Sequence, residues 1–450
     1  MKKILLLAMI LCGTAMNSQC WNTLDAGLHH TMAIKSDGSL WNWGDNYAGQ
    51  LGIGTTQNYN FPQQTGSESD WVKIDSGSDH CMALRADGSL WAFGRNDYGQ
   101  IGNGAYVDRR QPTLIGTSTW QDISGGDLHT IGIKSDGSLW AWGFNYFGVY
   151  GPADLIDLNT PMQIGTDTDW MQVEAAEIHN AAIKNDGSLW TWGKNPYGQL
   201  GDGNAATVYA PQQIGTDTNW ESVSANYLYT LALKTDGTLW AWGRNEYGEL
   251  GDGTTTDRLV PVQVGTDFDW QSVSAGMRHS LGIKNDGTLW FWGNNLLGQL
   301  GDGSATDALV PTQFGTDTDW QFARAGGFYS LAVKNSNELW VTGYNGFGEL
   351  GDQTNVDKSV FTLVPCAALG VAEVDATPFM VYPNPVLDLL QVEGIGVQSD
   401  KIMITDMTGK LIIELDGHVN QINVSQLQAG VYVCTISAGV AVFRMKFVKE

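Results

Sequence analysis

The sequence predicts an all-β protein, a seven-bladed β-propeller followed by a small C-terminal β-sandwich. Three observations carry this. First, Trp21, Trp71, Trp120, Trp170, Trp220, Trp270 and Trp320 recur every 49 or 50 residues, a period of repeat architectures that bury each unit against its neighbours. Second, the strand and turn signals inside each unit are β throughout. Third, 56 Gly and 19 Trp with only 16% charged residues fit many short strands and tight turns.

Residues 1–19 have the pattern of a secretory signal peptide: basic Lys2 and Lys3, the apolar run Ile4 to Leu11, then Gly13 to Gln19. The apolar run is too short to span a bilayer. Export is therefore expected, with Cys12 leaving with the signal. The chain carries a net charge of −24, which disfavours nucleic acid and anionic membranes as partners. No later segment has the length and apolarity of a transmembrane helix.

Residues 20–366 hold the seven units. A second Trp column (Trp41, Trp91, Trp140, Trp190, Trp240, Trp290, Trp340) keeps step with the first. A third holds Trp43, Trp142, Trp192, Trp242 and Trp292, with Phe93 and Thr342 in the remaining places. The three columns account for every Trp in the chain, so these residues are assigned to the core. Within residues 270–320, Trp270 to Ser274 alternates as a strand and Ser280 to Lys284 follows. Asp286-Gly287 supplies a hairpin turn, Leu289 to Trp292 forms the third strand, and Pro311 to Phe314 the fourth. Proline at that last strand marks an outer edge.

The unit Ala275-Gly276-Met277-Arg278-His279-Ser280, then Asp286-Gly287-Thr288-Leu289-Trp290-Phe291-Trp292-Gly293, then Asn295 to Gly303, resembles the regulator of chromosome condensation repeat over about residues 21 to 365. That resemblance implies a seven-bladed propeller. The family's best-known activity, nucleotide exchange on a small nuclear GTPase, is not expected here, because it uses an inserted loop and these units keep nearly equal length. Light sensing is not expected either: Leu28, Ser78, Asp127, Glu177, Tyr227, Met277 and Gly327 stand where the plant ultraviolet photoreceptor of this fold carries Trp. A bacterial secreted inhibitor of β-lactamase with the same repeats is a precedent for enzyme binding.

Mapping the chain ends onto the connection Gly265 to Asp269 brings Cys20 and Cys366 to the place of the missing link. The pair is either a disulfide closing the ring, which export permits, or two free thiols. Cys81 occupies a column otherwise holding Thr, Ser or Asn and is expected in the core. Cys434 lies in a strand pattern beyond the propeller.

Residues 367–378 form a linker. Residues 379–450 alternate in short strands between turns, as in a small sandwich. Tyr382-Pro383-Asn384-Pro385, Gly409-Lys410 and Gly430-Val431-Tyr432 resemble the type A C-terminal sorting domain of the type IX secretion system. The resemblance implies a Bacteroidota-type bacterium, the type IX machinery as a partner, and passage across the outer membrane. Removal of this domain would then release the product or attach it to the outer surface.

No zincin, paired-cysteine, phosphate-loop or nucleophile-elbow motif occurs, so no catalytic residue, cofactor or metal is assigned. Asp252 to Asp257 and Asp302 to Asp307 lack calcium-loop spacing and read as solvated turns. The column His30, His80, His129, His179 and His279, completed by Tyr229 and Tyr329, reads as structural, since Tyr is a poor substitute for a metal-binding His.

The turn before each His or Tyr is where the units differ. In a closed ring these turns share one face, around the central funnel, and loops on a rigid scaffold commonly carry binding. Tyr227, Leu228, Met277, Arg278 and Phe328 are of types enriched at protein interfaces. Asp79, Asp127 and Glu177 form an acidic arc. Drift at exposed turns is the competing account. The predicted function is an exported, non-catalytic binding module, most simply for an extracellular protein. One alternative is a glycan-binding adhesin, which needs stacking aromatics exposed between blades. The other is a hydrolase in the funnel, which needs paired carboxylates with shifted pKa values there.

Overall fold

The computed structural model describes residues 21–145, 148, 156–364, 379–394, 400–406, 410–417, 419–438 and 441–450. The expected signal peptide, Cys20, Cys366, the expected linker and Gly409 lie outside the described residues. The chain divides into two compact units, residues 1–366 and 367–450.

The first unit is a succession of four-stranded antiparallel meanders. Five are separate sheets, and a seven-stranded sheet contains two more that share one strand. The shared strand, Arg109–Gly125, pairs with the second blade through Thr119 and with the third from Trp120 onward. A short loop was expected there, as in the other units. The spacing explains the difference: Trp71 to Trp120 is the one 49-residue interval, so the connection is a residue shorter and the chain runs straight through.

Local chemistry sets each blade. At residues 286–290, the Asp286 carboxylate accepts from the Thr288 N–H at 3.0 Å and from its hydroxyl at 2.7 Å, and Trp290 Nε1 donates to that hydroxyl at 2.8 Å. Gly287 holds φ at 80°, and a Cβ there would lie 2.2 Å from the Thr318 carbonyl, so only glycine fits. The outer strand spans Ala308–Gln313, longer at its start than the expected Pro311 to Phe314. A bulge between Phe291 and Gly293 lets Ala308 rejoin the ladder. Pro311 sits on this outer edge, where its missing donor costs little.

The first Trp column is buried, as are Trp43, Trp142, Trp192, Trp242, Trp292, Phe93 and Thr342 of the third. Trp270 packs against Trp290 and Trp292 with ring centroids 5.9 and 5.8 Å apart. The second column is half-buried beneath a basic residue in each blade, such as Lys35 over Trp41 at 3.4 Å and Lys284 over Trp290 at 4.5 Å.

The His/Tyr column links the blades. His80 Nε2 lies 2.9 Å from the Thr130 hydroxyl, His179 Nε2 2.9 Å from that of Thr230, and His279 Nε2 2.9 Å from that of Ser330. His129 meets Asn180, His30 meets Cys81, and the Tyr229 phenol meets Ser280. Cys81, Thr130, Thr230, Ser280 and Ser330 also donate to a backbone carbonyl of the preceding blade, as Thr130 does to Gln100 at 2.8 Å. Blade seven closes on blade one in the same way: Thr31 donates to the Tyr329 phenol and to the Glu349 carbonyl. Cys81 is fully buried in this network.

The second unit has a three-stranded sheet (Phe379–Tyr382, Leu389–Gly394, Gln421–Asn423) and a four-stranded one (Leu411–Asp416, Lys401–Asp406, Gly430–Ala438, Ala441–Lys449). Leu390, Val392 and Ile422 from the first and Ile402, Ile404, Cys434, Ile436 and Phe447 from the second share one core. Two of the expected sorting motifs tie into it. Asn384 accepts from the Val448 N–H at 2.8 Å, and Tyr432 stacks on Phe447 at 5.8 Å.

Candidate functional site at the funnel

The innermost strand of every blade lines a central cavity of about 490 Å³. Alternation puts one side chain per blade at equivalent wall positions: Asp25, Asp75, Ser124, Glu174, Ser224, Ser274 and Arg324. Most of these lace the ring. Asp25 accepts from the Ser76 N–H at 2.7 Å and Asp75 from Gly125 at 2.6 Å. Ser124, Ser224 and Ser274 accept at 3.0 Å from Ala175, Ala275 and Ala325. Arg324 faces Asp25 at 3.7 Å. Glu174 departs from the pattern. It accepts from the Gln172 amide at 3.2 Å, and Gln172 itself makes the bonds to blade five through Val223.

The wall is polarised. Blades one, two and four contribute Asp25, Lys73, Asp75 and Glu174, while blades three, five and six contribute serines. Lys73 is paired with Asp122. Burial raises Asp25 and raises Asp75 well above the usual carboxylate range, the latter with help from Asp25 and Glu174. Burial, then Asp122, pushes Glu174 up to about 8.

Around the mouth lie the variable turns. Asp127, Glu177, Tyr227 and Met277 line the cavity, with Leu28, Ser78 and Gly327. Burial pushes Glu177 up to about 7, Asp127 adding to the effect and Arg244 opposing it. Burial also raises Asp127. Asp79 lies off the cavity wall, taking the Tyr47 phenol at 2.6 Å and facing Arg95 at 3.5 Å. Leu228 is buried at 7% exposure, because the turn folds its side chain inward; it offers no surface. Arg278 and Phe328 are half-buried beside the mouth.

The structure brings Tyr227 and Arg278 together with residues the sequence reasoning passed over. Arg244 lies 5.3 Å from the Tyr227 ring, 5.6 Å from Tyr247 and 5.9 Å from Tyr197. Arg278 lies 5.8 Å from Tyr227 and 5.1 Å from Tyr247. Tyr197, Arg244 and Tyr247 belong to the Gly-rich connections, whose Trp-Gly-x-Asn-x-Tyr pattern was readable in the sequence. The wall carboxylates had a signal too: they replace the serine that blades three, five and six place two residues before the turn.

The possible metal loops are occupied by their own hydrogen bonds. Asp252 accepts from the Thr254 N–H and hydroxyl and from Arg258 and Asn245. Asp302 accepts from Asn295 and Ser304. In each blade a Lys or Arg roofs the half-buried Trp of the second column.

Comparison with known proteins agrees with this architecture. A model described as RCC1-like domain matches residues 115–382. Regulator of chromosome condensation (RCC1) repeat models match residues 37–84 and 87–133, and 23–50 and 71–100. A Secretion system C-terminal sorting domain matches residues 380–450. No curated protein matches the chain. Among solved structures, human WBSCR16 is similar with a TM-score of 0.66 and 20% identity, covering 73% of this chain and 94% of that one. Prp20p from Saccharomyces cerevisiae, studied with its binding to Gsp1p and histones, gives 0.61 and 22%, covering 70% and 83%. At such identities these likenesses concern the fold alone.

Proposed function

This chain belongs to the RCC1-like domain family and ends in a secretion system C-terminal sorting domain, and from that premise we propose that it is an exported, non-catalytic propeller that binds an extracellular protein through its funnel face. The sorting domain implies handling by the type IX machinery and delivery to the medium or the cell surface. The observation that carries the binding reading is the cluster of Tyr227 with the guanidinium groups of Arg244 and Arg278 at the funnel mouth. Tyrosine and arginine anchors dominate the energetics of protein interfaces, and here they are pre-organised by packing on one another.

A hydrolase in the funnel is the second reading, favoured by the raised pKa values of Asp75 and Glu174. Against it stand the laced positions of Asp25 and Asp75. Both carboxylates already serve blade-to-blade bonds and are not free for acid–base work.

Affinity capture tests the proposal. The full chain and its variant with Tyr227, Met277, Arg278 and Phe328 changed to Ala are exposed to the same extracellular proteins. A protein held by the first and lost by the second is the expected result. Equal capture by both would move the contact off the funnel face. Hydrolysis of a glycoside or ester panel, abolished by Glu174→Gln, would favour the second reading instead.

A further inference from the structure

Tyr227 holds φ at 45°, the left-handed region. No other residue of the seven funnel turns is a non-glycine with positive φ among the described residues. The cause is local. In blade five the inner strand, Trp220–Asn226, extends one residue further, so Asn226 pairs directly with Tyr229. Only Tyr227 and Leu228 remain to make the turn, and a two-residue hairpin turn requires positive φ. The Asn226 side chain accepts from the Tyr227 N–H at 2.7 Å and holds the geometry. Such a conformation is strained for an aromatic residue, and strained residues cluster at functional sites. In this turn the Tyr227 ring lies within 5.3 Å of Arg244 and 5.8 Å of Arg278.

Arg278 is the second unusual member. The chain has twice as many Asp and Glu as Lys and Arg, and Lys184, Lys284 and Lys334 each face two carboxylates. Arg278 has no carboxylate within ion-pair distance among the described residues. Its guanidinium donates to the Tyr247 phenol at 3.2 Å, and its buried Nε has no partner. A guanidinium keeps its charge and offers a planar fork of donors matched to carboxylate. The surroundings are aromatic and apolar: the Tyr227 and Tyr247 rings lie 5.8 and 5.1 Å away, and Met277 precedes Arg278 in the same turn.

We propose that the Arg278–Tyr227 corner of the funnel mouth recognises a single Asp or Glu side chain of the partner, flanked by apolar residues. This deepens the funnel-face reading and rests on it. Charge complementarity selects the occupant. A carboxylate completes the unpaired guanidinium, apolar neighbours cover the tyrosines, and the acidic arc of Asp127 and Glu177 on the two blades before Tyr227 repels a segment with many carboxylates.

The test uses the full chain and three fluorescein-labelled peptides, Trp-Leu-X-Leu-Trp with X as Glu, Gln or Lys, in fluorescence anisotropy titrations. The expected result is at least tenfold tighter binding of the Glu peptide than of the other two. Arg278→Gln should remove that preference, and Arg278→Lys should restore part of it, since the charge returns without the fork. Unchanged thermal unfolding of Arg278→Lys separates recognition from folding. Equal affinities, no binding of any peptide, or a preference that survives Arg278→Gln would overturn the proposal. If Tyr227→Ala weakens all three peptides equally while Arg278→Gln changes nothing, the funnel-face reading stands and the carboxylate preference falls. If neither variant alters binding, the funnel-face reading fails as well.

Discussion

The phenol of Tyr329 donates to the carbonyl of His30 at 2.5 Å, across 299 residues of sequence. At the seam between the last blade and the first it repeats what the Tyr229 phenol does to the His279 carbonyl at 2.6 Å inside the ring. The ring therefore closes with the same chemistry that joins its interior blades. Trp43 Nε1 adds to the seam by donating to the Glu349 carbonyl at 2.9 Å, as Trp292 does to Glu249 at 2.8 Å.

Removal of the seam phenol should therefore cost what removal of an interior phenol costs. Tyr329→Phe and Tyr229→Phe each remove one bond from a buried carbonyl that keeps a second donor, the Gly27 N–H on His30 and the Gly276 N–H on His279, a loss of about 0.5–1.5 kcal/mol. Denaturant unfolding of the two variants checks this. A seam variant without effect would mean that closure depends on something else.

Glycine substitutions should separate strain from collision. Gly265 and Gly251 both have positive φ, at 66° and 76°. A Cβ on Gly265 meets nothing within 4 Å, while one on Gly251 lies 2.9 Å from Trp292. Gly265→Ala should cost about 1 kcal/mol from conformation alone. Gly251→Ala should cost about 1–3 kcal/mol more, because the buried ring cannot give way. Equal melting temperatures for the two would contradict this account.

Stability should peak in mildly acidic solution. Burial lowers His30, His80, His179 and His279 to about 3 and His129 to about 4. The unfolded chain binds more protons than the folded one below pH 6.5, so stability falls as these imidazoles must charge, by up to about 3 kcal/mol each at pH 4. Glu174 and Glu177 act in the opposite sense. Their folded values near 8 and 7 lie above the unfolded one, so stability present at low pH is lost as pH rises through that range. Melting temperature measured from pH 4 to 9 should fall on both sides, and Glu174→Gln should flatten the alkaline limb. A monotonic rise to pH 9 would contradict the assignment.

The strain at Tyr227 makes a separate prediction. Tyr227→Gly removes two cation–π contacts, worth about 0.5–1 kcal/mol each at exposed sites, yet relieves a left-handed backbone of similar cost. Thermal unfolding should place it within about 1 kcal/mol of the native protein while binding at the mouth is lost. A large destabilisation would make Tyr227 a packing residue.

Much of the architecture was legible in the sequence, because Trp columns and Asp-Gly turns are local signals with few structural solutions. The Trp71–Trp120 interval even marked the continuous strand, although its one-residue difference went unused. The site was harder. The turns Tyr227-Leu228 and Met277-Arg278 were identified by their departure from the repeat, but strand length decides which side chain faces the funnel, and it buried Leu228. Arg244 and Tyr247 escaped because they lie 16 to 34 residues from those turns in sequence and meet them only in the folded blades. Asp75 and Glu174 escaped because a strand alternation read for its buried face says little about the face lining a channel.

Hydrogen–deuterium exchange of the full chain, alone and with a captured partner bound, tests the central claim most directly. Binding through the funnel face predicts slowed exchange at residues 226–229, 244–248 and 276–279. Slowed exchange on the outer strands Val208–Gln213 and Arg258–Gln263, with those turns unchanged, would contradict it.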